Sequence, residues 1–193
     1  GGAATRRPAL SSTPMPQCKN PLIALVAVAA LLAAPTALAA PGVSDHAANG
    51  LTGRALLDSH ELWATIDVCN PADQPYTVGI RGSMPGNRLA RDKMYMSFRL
   101  QYMDATSKRW VDLISGATPD FIAVGSGAAA RQDGRSFQLV PGKTASTLRG
   151  VVDFQWRRGA TVLQSAARPT TAGRKSLAGA DPASFSASTC SIG

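Results

Sequence analysis

Glutamate is almost missing from this sequence: Glu61 is the only one among 12 acidic residues, and 193 residues include two His and three Cys. A general acid–base pair or a metal centre needs such side chains to converge, so there is little material for either. No Gly-x-Ser-x-Gly nucleophile turn, Cys-x-x-Cys, His-x-His or His-Glu-x-x-His occurs. Asp104, Asp112, Asp120 and Asp133 lie too far apart for a calcium loop. His46 and His60 have no nucleophile or carboxylate at a recognisable spacing and read as solvated polar residues. No cofactor and no metal are expected. No apolar run reaches the roughly 20 residues that a helix needs to cross a hydrocarbon core.

The longest apolar run is thirteen residues, 22–34 (LIALVAVAALLAA), preceded by Lys19 and followed by Pro35 and Ala37-Leu38-Ala39. That order, a basic residue, a short apolar run and a small-x-small triplet, is the layout of a secretory signal peptide. The sequence predicts a signal over 1–39, starting in effect at Met15 and cleaved after Ala39. The mature chain keeps 17 basic and 12 acidic residues over 154 positions, a net charge of +5. Its two cysteines, Cys69 and Cys190, are an even pair in an exported chain and are expected to be bonded. The protein is therefore expected to be secreted, with no membrane span once processed.

Residues 40–60 mix Gly, Ala, Ser and Asn with little periodicity and read as a linker. From Leu62 the period becomes two. Leu62, Ala64, Ile66 and Val68 fall on one side and Trp63, Thr65, Asp67 and Cys69 on the other, as in a half-buried strand. Residues 94–103 alternate likewise, with Met94, Met96, Phe98, Leu100 and Tyr102 on one face. Strands are also expected in 76–82, 109–114, 121–125, 135–140, 147–158, 160–166 and 185–190, separated by turns rich in Gly, Pro and Asp. Gly82–Gly86 and Gly125–Gly127 read as turns, and 126–134 as a loop ending in Arg-Gln-Asp-Gly. The expected core is Ile66, Val68, Met96, Phe98, Leu100, Val152, Phe154 and Trp156.

With no amphipathic helix and no internal repeat, the fold class is all-β: an antiparallel β-sandwich over 61–193. In strand number and length, over roughly residues 61–190, it resembles the broad immunoglobulin-like class. No specific motif carries that resemblance. The paired cysteines of antibody-type domains flank a buried Trp and lie much closer in sequence, whereas Cys69 and Cys190 stand in the first and last strands. A bond between them would tie the ends of the domain together.

Two features point to recognition. Arg88, Arg91 and Lys93 stand in a Gly/Pro/Asn-containing loop opposed only by Asp92, and Arg157-Arg158 form a second basic cluster at a hairpin tip. If the two clusters meet, these five cations form a candidate anion-binding surface. Trp63 and Tyr95 alternate against the apolar faces of their strands, so each is either a platform for sugar stacking or covered by packing. The sequence predicts an exported, non-enzymatic β-sandwich acting at or outside the cell surface, binding an anionic envelope polymer or polysaccharide. The alternatives are a secreted hydrolase with an unrecognised site and a purely structural envelope protein. Specific nucleic-acid binding is not expected.

Overall fold

The structure is a computed structural model that describes residues 50–193, apart from Thr52, Pro119, Lys143, Thr144 and Ser176. The expected signal peptide, its cleavage after Ala39, His46 and the first part of the expected linker lie outside the described residues. Strands dominate the rest. They are β1 (Trp63–Cys69), β2 (Thr77–Met84), β3 (Leu89–Met103), β4 (Trp110–Ala117), β5 (Ile122–Gly127), β6 (Arg131–Gln138), β7 (Ser146–Arg158), β8 (Thr161–Pro169) and β9 (Cys190–Ile192).

They form two antiparallel sheets. The small sheet has the order β1-β2-β6. The large one has the order β4-β3-β7-β8, with β5 also pairing with β3 and β9 with β7. The long alternating strands predicted at 94–103 and 147–158 form the centre of the large sheet, where Lys93 pairs with Arg157, Phe98 with Val152 and Tyr102 with Leu148. Their inward set meets that of the small sheet. Ile66, Ile80, Met94, Met96, Phe98, Leu100, Val152, Phe154 and Trp156 all have zero exposure. Burial of each such side chain is worth about 1.5–3 kcal/mol. Trp156 also satisfies its one polar group by donating Nε1–H to the Pro85 carbonyl at 2.9 Å.

Cys69 ends β1 in the small sheet and Cys190 opens β9 in the large one, and the two are bonded with Cα atoms 5.6 Å apart. The disulfide thus staples the sheets as well as the ends of the domain. Closing a loop of 121 residues constrains the unfolded chain by about 4–5 kcal/mol on the loop-entropy model.

Several local expectations are corrected. Val68 is partly exposed, because the β1–β2 register shifts between Ile66 and Val68. One extra residue in a bulge reverses the facing of everything after it. Gly82-Ser83-Met84 and Gly125-Ser126-Gly127 are strand residues, not turns. At position 82 only glycine fits easily under the opposite sheet, since a Cβ would come within 3.0 Å of Val152 and 3.1 Å of the Met96 sulfur. Arg131–Gly134 opens β6 rather than ending a loop, because its backbone pairs with Arg81–Met84. The last strand shrinks to Cys190–Ile192, and Ala187 makes a single bridge to Ile66. In the stretch read as linker, Arg54–Leu57 form the short helix α1, Leu56 is buried, and the Leu57 carbonyl accepts from Arg168 Nη2 at 2.8 Å.

The small sheet's edges are covered along β1 and blocked at one point of β6. Along β1 runs a C-terminal arm, residues 170–189, held where Thr171 N–H meets the Ala64 carbonyl and Asp181 N–H the Asp67 carbonyl. On β6 the Gly134 peptide groups are taken by neighbouring side chains. Asp133 accepts its N–H at 2.8 Å and Arg135 donates to its carbonyl at 2.6 Å. A charged pair folded over the edge blocks the pairing of a further strand.

Candidate functional site

The outer face of the large sheet carries the polar half of the two alternations. From β3 come Lys93, Tyr95, Ser97, Arg99 and Gln101, and opposite them on β7 stand Arg157, Gln155, Asp153, Val151 and Arg149. Residues directly opposite on antiparallel strands share a face at close range.

At one end of this face, the Arg157 guanidinium carbon sits 4.3 Å from the centre of the Tyr95 ring and 5.1 Å from that of Phe121. Its Nε donates to Gln155 Oε1 at 2.7 Å. Both aromatic contacts hold the planar group still while leaving its terminal nitrogens to other acceptors. Lys93, opposite in register, is exposed. Among the described residues neither Lys93 nor Arg157 makes an ion pair. Asp120, beside Phe121, is exposed and reaches no described cation.

In the middle of the face the charges cancel. Arg99 bridges Asp153 at 3.0 Å and Asp112 at 2.8 Å, and Asp112 also accepts from Gln101 at 2.7 Å. The Gln101 hydrogen bond first, and then Arg99, hold the Asp112 carboxyl below its ordinary range, while the Asp153 hydrogen bond raises Arg99. Beyond them Arg149 lies 4.4 Å over the Trp110 ring and donates Nε–H to Gln101 at 2.8 Å. Burial, followed by repulsion from Arg99, lowers the pKa of Arg149.

The five expected anion-binding cations are divided by the structure. Arg91 and Lys93 belong to β3 and not to a loop, and both are exposed. Arg88 is exposed in the crossing from β2 to β3, where its φ is 66° and its N–H is bonded to the Gly127 carbonyl at 2.8 Å. Lys93 and Arg157 are brought together. Arg158 turns the other way and is engaged by Asp92 through two bonds of 2.8 and 3.0 Å. Asp92 has zero exposure and also accepts from Asn87 at 2.6 Å. The Arg158 hydrogen bond first, then that of Asn87, lower the Asp92 pKa against the opposing effect of burial.

Neither aromatic candidate is a bare platform. Tyr95 carries Arg157, and Trp63 carries Arg174 of the C-terminal arm at 5.0 Å. Phe121 and the Arg149–Trp110 pair were missed in the sequence. A signal for the latter exists, because the register that sets Lys93 opposite Arg157 also sets Gln101 opposite Arg149, and Trp110 follows one hairpin later.

Among the described residues, no three His, Cys, Asp or Glu side chains come together as a metal site, and no helix is long and apolar enough to cross a membrane. No known family model matches the chain, and no curated protein matches it in sequence.

Proposed function

We propose that the protein is an exported, non-enzymatic sandwich that acts at or outside the cell surface by binding an acidic polysaccharide or similar anionic polymer of the envelope. The observation that carries this reading is the end of the large sheet where Lys93 stands opposite Arg157. Arg157 lies against both Tyr95 and Phe121, and no described carboxylate pairs with either cation. A repeating polyanion suits this geometry, since a held guanidinium engages a carboxylate or phosphate through paired hydrogen bonds and an adjacent ammonium adds a point charge. Arg88 and Arg91, which precede Lys93 in the chain, are also exposed and add to the positive charge of this segment. Export is supported by the Cys69–Cys190 bond and by the apolar run at 22–34 with its small-residue triplet.

The test is retention on an immobilised carboxylated polysaccharide at two salt concentrations. The Debye length falls from about 10 Å at 0.1 M to about 3 Å at 1 M, so retention should be strong at the first and lost at the second. A Lys93→Ala/Arg157→Ala variant should elute early at both. Equal retention of variant and wild type at low salt would overturn the reading.

A further inference from the structure

We propose that the cleft between the small sheet and the C-terminal arm binds an uncharged sugar residue. The cleft encloses about 330 Å³ and lies on the outer face of the small sheet, away from the cationic face already described. Its centre is an omission. Gly134 stands opposite Arg81 in register, and a Cβ there would meet only the Ile80 carbonyl at 3.1 Å and the Arg81 Cα at 3.8 Å. Glycine at this position therefore relieves no severe clash and leaves a floor open. Gln132 and Ser136, two residues to either side, project onto the same face, opposite Ser83 and Gly79.

The wall is a positioned guanidinium. Asp67, on the same outer face, lies under Arg81, where its carboxylate accepts Nε–H at 2.7 Å while the residue is only 4% exposed. The terminal nitrogens of Arg81 have no protein acceptor among the described residues, and Nη2 lies 3.5 Å from where a Cβ on Gly179 of the arm would be. So the arm offers no side chain at the point where the free guanidinium edge faces it.

Charge decides the ligand class. Asp67 balances Arg81, and Asp133 balances Arg135 at 3.2 Å. The lining offers fixed donors and acceptors (guanidinium, amide and hydroxyl) with no net charge. An anion would meet an arginine already neutralised, and an apolar ligand would leave the Arg81 donors unpaired on desolvation. Hydroxyl groups, which donate and accept at once, satisfy both kinds of group.

The test is a titration of the purified ¹⁵N-labelled protein with millimolar cellotriose, maltotriose or mannotriose, and separately with inorganic phosphate. At least one trisaccharide should shift the amides of Gln132, Gly134, Ser136 and Gly179. Gly134→Val, which fills the floor, should weaken that binding at least about tenfold, and Lys93→Ala/Arg157→Ala should bind as wild type, which separates this cleft from the cationic face. Should Gly134→Val lose its dispersed spectrum, Gly134→Ala is read in the same way. The proposal is overturned if no trisaccharide moves these amides, if phosphate alone moves them, or if the filled-floor variant binds unchanged.

Discussion

Arg157 and Arg158 follow one another at the end of β7 and finish on opposite sides of the large sheet. Outside, Arg157 rests against two aromatic rings beside Lys93, with no described anion to neutralise it. Inside, Arg158 closes over Asp92, which also holds Asn87. The neighbouring pair on β3 splits in the same way, Lys93 outward and Asp92 inward. Two adjacent cations in a strand are therefore not a patch. Pleating assigns one to each face, and only the partner strand's register tells which charges add and which cancel.

The contrast is tested most severely from the inside. Asp92→Ala leaves Asn87 buried without its acceptor, and should cost about 2 kcal/mol by urea unfolding. The Asp92→Ala/Arg158→Ala double variant should cost no more than Asp92→Ala alone, because the half-exposed Arg158 stabilises only through its bond to Asp92. A double variant much less stable than the single would mean that Arg158 packs rather than pairs.

Acid should erase part of the difference. Because the folded Asp92 pKa is depressed, its contribution is fully present above the unfolded value near 3.9 and is lost as the pH falls below that value towards the folded one. Asp92→Asn should be clearly less stable than wild type at neutral pH, and the gap should narrow below about pH 4. A gap that stays constant from neutral to acid pH would contradict the ion pair. On the outside the energies are smaller. Arg157→Ala should cost about 1 kcal/mol, the scale of a partly exposed cation–aromatic contact. Lys93→Ala should fall within about 0.5 kcal/mol of wild type, as surface substitutions do.

Period-two alternation made most of the fold legible. Residues 94–103 and 147–158 needed no long-range information to be recognised as strands, and the core residues named from them, Met96, Phe98, Leu100, Val152, Phe154 and Trp156, are all buried, while Tyr102 at the end of the same face is only partly so. The expected Cys69–Cys190 pair is bonded. What escaped the sequence depends on events without a periodic signature. The bulge after Ile66 is a single-residue event, and it turned Val68 out of the core. Glycines at 82, 125 and 127 read as turns, yet they serve strands that approach another layer or carry a bulky neighbour, as Arg131 lies within 2.8 Å of where a Cβ on Gly125 would be. The same is true of the candidate site. Its cations were visible one by one, while their division between the two faces, and the engagement of Arg158 by Asp92, follow from the β3–β7 register.

The most direct measurement compares the two neighbours in one assay: retention of Arg157→Ala and of Arg158→Ala on the carboxylated polysaccharide at 0.1 M salt, where charge acts over about 10 Å. Arg157→Ala should elute markedly earlier than wild type, and Arg158→Ala, whose charge is already matched by Asp92, close to it. Equal loss in both variants, or loss in Arg158→Ala alone, would contradict the assignment of the binding surface to the outer face.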